Sequence, residues 1–354
     1  MHPNKKYFKK DKIIPADSFF EKILYDDKDG YYSKKIPFGK DGDFITAPTI
    51  SPIFGEMIAI WIITVWESFN KPKKFNIIEL GPGNGILTKI MLKQFKNFPK
   101  FNNAVNIFLY EKSKLMQNIQ KKNVKSSKVK WIKNFSCIKK GPAIFFGNEF
   151  FDAIPIKQFV IKENLMFEKN YTLNNFYKIT EVFKKVSKKK IKEIKKFQTL
   201  KDLTFIEFPK LGFQVLKKII KKISKLSGGL LLIDYGYLKS TNKNTLQSII
   251  RHKKNNILKN LGQADVTSLV NFNLLSEYFI MNNLKVKKIV SQKFFLERMG
   301  IVERANNLSK KMSFKEKSDL YFRLKRLVNK NFMGDLFKVI FTYKFKKNNF
   351  IGFE

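Results

Sequence analysis

Two short stretches of this chain hold residue types that can do chemistry, at spacings that chemistry uses. The first is Ile77-Ile-Glu-Leu-Gly-Pro-Gly-Asn-Gly85, where Glu79 sits near the end of an apolar run and Gly81, Gly83 and Gly85 alternate into the next. Glycines so spaced let the backbone turn sharply and approach a ligand where a side chain would clash. A helix start behind them favours negative charge, a carboxylate or a phosphate. Glu111 ends the following apolar run, where an acidic side chain can accept both hydroxyls of a ribose. The second stretch is Gly147-Asn-Glu-Phe-Phe-Asp-Ala-Ile-Pro155. Ligands of open α/β sheets bind beyond the carboxyl ends of strands, so Asn148, Glu149 and Asp152 should face one crevice. Locally, Asp152 reads equally well as a helix N-cap and Glu149 as a surface residue.

The glycine pattern is Gly-x-Gly-x-Gly, whereas dinucleotide sites use Gly-x-Gly-x-x-Gly; this argues against NAD. No Gly-x4-Gly-Lys-Ser/Thr occurs, which argues against ATP hydrolysis.

Positioning these residues takes an alternation of strands and helices. The patterning predicts strands at Phe75–Leu80 and residues 105–111, 142–147 and 230–234, with helices at Ile86–Phe95 and residues 113–122. Such alternation indicates a mostly parallel α/β sheet. Ahead of it, apolar periodicity after Pro15 and over residues 51–69 predicts two helices. Residues 156–182 alternate in short β-like runs, a meander inserted into the sheet domain. After Asp234 the texture is mixed helix and loop until a last strand over 336–345. We expect an N-terminal helical segment and cover loop over residues 1–70 and a catalytic domain over 71–354. Within the latter, 153–226 is an insertion and 237–334 a substrate-side segment.

Of the 354 residues, 44% are hydrophobic and 37 are Phe, enough to build a large core and to exclude a disordered chain. The single Cys137 excludes a disulfide framework and a CxxC metal site. With His2 and His252 as the histidines, zinc catalysis and a His-driven triad are close to excluded, and no metal is expected. Lys+Arg 70 against Asp+Glu 29 leaves a net charge of +41. That field suits a polyanion such as nucleic acid. The excess is nearly all Lys, though, with Arg only at 251, 298, 304, 323 and 326, and a general compositional bias is the favoured explanation. The lysine-dominated run 184–196 reads as a solvated helix face or loop. The longest apolar run, residues 53–66, is too short for the roughly 20 residues of a membrane span and carries Glu56. The polar, basic N-terminus lacks the apolar core of a secretory signal. A cytoplasmic protein is expected, or a matrix protein if the source is eukaryotic.

Further blocks occur in order around these two: Gly30-Tyr-Tyr, Phe38-Gly-x-x-Gly-Asp-Phe-Ile-Thr-Ala-Pro48, Phe54-Gly-Glu56, Ile233-Asp-Tyr-Gly236, Leu246-Gln247 with Arg251-His252, Gly262-x-Ala-Asp-Val-Thr267 and Met299-Gly-Ile301. With Glu79–Gly85 and Asn148–Pro155, the series resembles the MidA family of S-adenosylmethionine-dependent methyltransferases, over roughly residues 25–345. The resemblance implies a class I, Rossmann-like methyltransferase fold and S-adenosylmethionine as cofactor. Mitochondrial members methylate protein arginines and are needed for assembly of respiratory complex I, so a protein substrate such as a complex I subunit is implied as partner. It places Gly81, Gly83 and Gly85 at the amino-acid portion of the cofactor, Glu111 on its ribose and Asn148 to Asp152 on the crevice floor, with Glu79 also among the cofactor-binding residues. The block from Gly42 to Thr46, with Asp43 and Thr46, would fold across the site as a cover.

Methyl transfer is an in-line displacement, so the enzyme mainly aligns the partners and excludes water. An arginine acceptor is cationic, and a pair of carboxylates can grip it bidentately. Glu149 and Asp152 are the first candidates for that catalytic task, with Glu56 and Asp43 in reserve. Asp234 either lines the same crevice or stabilises Arg251. The rival readings are an RNA methyltransferase using the lysine surface, and a catalytically silent assembly factor.

Overall fold

The computed structural model describes residues 3–8, 12–37, 42–43 and 45–354. A short turn of 3-10 helix, Pro3–Phe8, precedes strand β1 (Ile13–Pro15) and helix α1 (Ala16–Tyr25). Two single-turn helices, α2 (Tyr31–Lys34) and α3 (Ala47–Ile50), lead to α4 (Pro52–Ser68). There follow β2 (Phe75–Leu80), α5 (Ile86–Phe95), α6 (Pro99–Ala104), β3 (Val105–Tyr110), α7 (Lys114–Val124), β4 (Val129–Ile132) and β5 (Ala143–Asn148). The next stretch holds β6 (Lys157–Lys162), β7 (Leu165–Leu173), β8 (Ile179–Lys185), α8 (Lys188–Ile194), β9 (Phe205–Phe208) and α9 (Lys210–Leu226). The chain then returns as β10 (Gly228–Tyr237). After it come the short strands β11 (Gln247–Ile250), β12 (Lys253–Asn255), β13 (Asp265–Thr267) and β14 (Val270–Asn271), and helix α10 (Phe272–Met281). Last are β15 (Lys285–Val286), β16 (Val290–Ser291), α11 (Gln292–Arg298), α12 (Ile301–Ser309), α13 (Phe314–Val328), α14 (Met333–Leu336) and β17 (Phe337–Lys344).

The central sheet runs β15-β17-β10-β5-β2-β3-β4, parallel from β10 to β4 and closed by antiparallel β17. Every residue of β2 is buried, as both faces of a parallel strand must be. From β2 the chain moves outward to β3 and β4, then returns to the other side of β2 as β5. The order therefore reverses between β2 and β5, and a crevice opens beyond their carboxyl ends. This is the α/β methyltransferase arrangement expected.

One face of the sheet is covered by α4, α5 and the C-terminal helices, where Trp61, Phe295 and Phe341 meet. The other is covered by α9 and α10. Helix α9 presents Phe213, Leu216, Ile219, Ile220 and Ile223 to that core and carries exposed Lys217, Lys218, Lys221 and Lys225.

Between β5 and β10 the expected meander forms its own antiparallel sheet, β1-β7-β6-β9, with β8 on β7. Strand β1 comes from the N-terminal segment, so that segment is stitched to the insertion. A third sheet, β12-β11-β13, falls where only helix and loop were expected. Strand β4 was also not expected; four residues at a sheet edge are too few to show a period. The lysine run splits: exposed Lys184 and Lys185 end β8, and most of the others lie exposed on or beside α8, while Lys190 pairs with Glu168.

Phe341 is fully buried, with ring centroids 4.9 Å from both Trp61 and Phe350. Phe341→Ala should lower unfolding stability by about 3–5 kcal/mol, read from the denaturant midpoint, whereas Phe341→Leu should lose distinctly less.

Candidate active site

Past the end of β2 the backbone passes through left-handed conformations at Gly81 (φ 60°), Gly83 (φ 52°) and Gly85 (φ 81°). At Gly81 a Cβ would also stand 2.9 Å from Cδ2 of Phe150, so the loop closes only on glycine. The Gly81 amide donates to the Tyr110 carbonyl at 3.0 Å, which ties the loop to β3. Beneath it Glu79 is buried and accepts a hydrogen bond from Thr88 on α5. Burial pushes its carboxyl up to about 7.

One strand along, Glu111 accepts from the Ser113 amide at 2.8 Å and from Gln120 Nε2 at 3.1 Å. Gln120 also donates to the Gly83 carbonyl at 2.7 Å and accepts from Trp131 of β4 at 2.9 Å. Burial raises the Glu111 carboxyl as well. Its orientation is thus set by α7 and, through Gln120, by the strand that sequence reasoning missed.

Across the reversal, β5 ends at Asn148, and Glu149 adopts a left-handed backbone (φ 54°). Such a conformation costs about 1–3 kcal/mol in a non-glycine residue and persists only where its surroundings enforce it. Here the Glu149 amide donates to the Ile233 carbonyl at 2.9 Å. The Asp234 carboxylate accepts the amides of Phe151 and Asp152 at 2.8 and 3.2 Å, pinning the turn. The half-buried Glu149 side chain accepts from Asn148 Nδ2 at 3.0 Å and from the Ala47 amide at 3.4 Å. Burial first, and the neighbouring Asp152 second, push Glu149 up to about 8. Asp152 rises to about 6 through burial, opposed by a hydrogen bond from Tyr235. Asp265 rises to about 7, again through burial and then Asp152; Tyr32 donates to it at 3.0 Å. Asp234 lies well above the carboxylate range for the same reasons. Among the described residues none of these four carboxyls has a Lys or Arg ion-pair partner. Asn148 Oδ1 and Asp152 Oδ1 are buried without a hydrogen-bond partner.

A cavity of about 390 Å³ is lined by Gly81, Gly83, Tyr110, Glu111, Glu149 and Phe150, among others. A smaller one of about 40 Å³ lies between Thr46, Pro48, Glu79, Asn148 and Glu149. The two share Gly81, Gly83 and Glu149, which makes Glu149 the hinge of one crevice. The larger volume falls in the range of ligand pockets.

The crevice therefore brings together Glu79, Gly81, Gly83, Glu111, Asn148, Glu149 and Thr46. Asp152 stands behind Glu149 and lines neither cavity, so the two carboxyls do not form an open pair; nor does it cap a helix, since a turn follows it. Gly85 is likewise behind the walls, at the start of α5. Asp43 is buried and bound to protein groups: Tyr31 at 2.5 Å, Lys35 at 3.3 Å and the Arg251 amide at 2.5 Å. It fastens a loop instead of facing the crevice. The contact considered for Asp234 with Arg251 is thus made by Asp43. Glu56 pairs with Arg304 at 2.7 Å, between α4 and α12, and lines neither cavity. Of the expected cover Gly42–Thr46, Phe44 lies outside the described residues, as do residues 38–41 of the same motif and His2. Sequence reasoning missed Tyr25, Tyr32 and Asp265. The blocks around Gly30-Tyr-Tyr and Gly262–Thr267 were visible as motifs, without a sign that they meet here.

A family model described as "Putative S-adenosyl-L-methionine-dependent methyltransferase" matches residues 57–290, taking in both strand ends. The chain belongs to this family. It is a methyltransferase whose cofactor is S-adenosylmethionine, as the MidA resemblance implied. A crystal structure of a Burkholderia thailandensis protein bound to S-adenosyl-homocysteine superposes with a TM-score of 0.80 at 19% identity, covering 97% of this chain and 89% of that one. A second structure from that organism gives 0.81 at 18%. Among curated relatives, the mitochondrial protein arginine methyltransferase NDUFAF7 of Xenopus tropicalis is 26% identical over 352 residues, 92% of this chain and 81% of its own length. Its Caenorhabditis elegans homolog is 28% identical over 307 residues, 79% and 71% of the two chains. No helix among the described residues is long and apolar enough to cross a membrane.

Glu79 gives a pH test. Its carboxyl is raised to about 7 in the fold from 4.5, so its contribution is fully present below 4.5 and is lost as pH rises through 7. Between those limits the methyltransferase should lose on the order of 3 kcal/mol relative to Glu79→Gln, which has no such titration. Denaturant unfolding of both proteins from pH 4 to 8 checks this; a pH-independent difference would refute it.

Proposed function

We propose that this methyltransferase modifies an arginine side chain of a protein, with Glu149 receiving the guanidinium. One observation carries the reading. Glu149 sits where two cavities meet, backed by three further carboxyls without cationic partners, in a chain of net charge +41. The relatives named protein arginine methyltransferases support it. A respiratory complex I subunit is the first candidate acceptor, from the family resemblance.

When bound, the cofactor supplies an electrophilic methyl on a sulfonium. Residues present suit it: Glu111 can accept the hydroxyls of a ribose, and the glycine loop with Asn148 and Thr46 surrounds the smaller space for the amino-acid end. The unpartnered Asn148 Oδ1 is an acceptor awaiting a donor. A guanidinium reaches the site charged. At neutral pH Glu149 is mostly protonated, and the arriving cation favours its ionised form, so a proton leaves for solvent. The carboxylate then holds the guanidinium in plane and draws charge from the attacking nitrogen. Glu149 would take the surplus N–H proton that the guanidinium must lose once one of its nitrogens has accepted the methyl. Asp152 acts through the field that raises Glu149, and Asp234 through the turn that holds it.

Glu149→Gln should spare cofactor affinity and lower kcat about 10²–10⁴-fold. The wild-type kcat/KM should rise with pH and level off above about 8, where the free enzyme has lost the Glu149 proton. A flat profile from pH 6 to 9 would remove Glu149 from this role. Gly81→Ala, by contrast, should weaken cofactor binding at least about tenfold by calorimetry, since the left-handed loop and Phe150 both resist a Cβ. RNA held by the lysine surface is the alternative acceptor, and steep loss of activity with salt would favour it.

A further inference from the structure

Strands β11 and β12 pair Ile250 with Lys253, leaving a two-residue turn of Arg251 and His252. Both residues are left-handed, at φ 49° and 60°. Turns of this kind strongly prefer Asn, Asp or Gly, because side chains branching from Cβ are strained there. Elsewhere the chain fills left-handed positions with Asn70, Asn164, Asn260 and Asn283, and also with Lys71, Lys125, Glu163, Tyr177 and Ser227. This turn carries one of the chain's five arginines and its one described histidine.

The turn is also fastened from below. The Arg251 amide donates to Asp43, whose other oxygen accepts from Tyr31 and Lys35, and Lys35 donates further to the Gln263 carbonyl at 3.0 Å. Both anchors lead to the crevice. The segment carrying Asp43 continues to Thr46, on the smaller cavity, and to Ala47, which donates to Glu149. On the other side, β13 pairs Asp265 with Ile249 of β11, and Asp265 is bonded to Tyr32 on the wall of the larger cavity. So the turn is held by two segments that each lead to a cavity wall, lines neither cavity itself, and leaves Arg251, His252, Lys253 and Lys254 exposed. Among the described residues the Arg251 side chain has no ion pair.

We infer that Arg251 and His252 form a docking tip for a carboxylate of the methyl acceptor, an acidic residue beside the arginine being modified. The inference rests on the protein-arginine reading above. A backbone pinned through Asp43, with a guanidinium and an imidazole exposed side by side at its tip, points to a use for those side chains. The guanidinium fork binds a carboxylate bidentately, as the surrounding lysines cannot.

The test replaces the tip by the turn's preferred sequence, in the double variant Arg251→Asn, His252→Gly. Were Arg251 and His252 merely structural, this variant would be more stable and equally active. The expectation is a melting temperature raised by roughly 1–3 °C and unchanged cofactor affinity. KM should rise about 10–100-fold for an arginine peptide with flanking aspartates, with kcat held. Matched peptides with alanine in place of aspartate should already show that higher KM with the wild type. Lys195→Asn, on a helix that lines no part of the crevice, removes the same charge and should leave the preference intact. Anisotropy of labelled peptides reads binding apart from turnover. Aspartate-dependent binding that the tip variant abolishes, without methylation of any peptide, would sink the arginine reading and keep the tip. Equal binding of aspartate and alanine peptides, or a tip variant that discriminates like the wild type, would overturn the inference itself.

Discussion

Carboxyl groups desolvated without a cation are the constraint on which this structure turns. Glu149, Asp152, Asp234 and Asp265 cluster at the carboxyl end of the central sheet, and each is pushed toward its neutral form. Pairing them with lysine would have been easy in a chain of +41. The same molecule does so in the second sheet, where Lys157 joins Asp17 and Glu168 at 2.8 and 2.7 Å and Lys190 joins Glu168 at 2.6 Å. In the crevice the acids are held by amides, amide side chains and tyrosines instead. Those partners satisfy an acceptor without neutralising it, so the site keeps its affinity for an incoming cation.

That arrangement depends on topology. The strand order reverses between β2 and β5, and only there can a loop from each side face an open crevice. The glycine loop fixes one wall. The other is a turn whose left-handed Glu149 persists because Asp234 accepts the two amides that follow. Asp234 thus links fold to chemistry: it is a strand residue of β10, a clamp on the turn, and a buried acid whose own carboxyl is raised by burial and by Asp152 and Glu149.

Much of this was legible in the residues. Strand β2 and helix α5 were readable to the residue, because a continuous apolar run and a glycine stop leave little freedom. The crevice residues at the ends of β2, β3 and β5 were legible by the same rule of strand ends. Partners were not. Asp43 reads as a cover residue in a glycine-rich block, yet its carboxylate is spent on Tyr31, Lys35 and a backbone amide 208 positions away. Glu56 reads as a spare acid until Arg304 is seen beside it. Asp152 alternates with Glu149 closely enough to suggest a pair, but the turn directs one into the cavity and the other behind it. Strands β11 to β13 escaped because three or four residues carry no period, and their order comes from Asp43 and Tyr32 in the N-terminal segment. Local pattern shows elements; long-range hydrogen bonds decide which polar side chains remain free for a ligand.

The two electrostatic features then combine instead of competing. Lysines exposed along α9 and around α8 give the surface a positive field, which at physiological salt reaches roughly 8 Å before it is screened. A purely basic peptide would be repelled by that surface before its arginine found the crevice. An acceptor that carries acidic residues around the arginine meets attraction at both stages, from the field during approach and from the carboxyls once inside. The lysine excess need not have been selected for this enzyme to have this effect. A compositional bias on the outside and, at the crevice, acids that make no ion pair although Lys112, Lys133 and Lys218 line the larger cavity together favour the same mixed-charge acceptor, and they do so over different distances. Added salt therefore weakens the first contribution well before the second, because the crevice charges lie within a few ångströms of their ligand and out of bulk solvent.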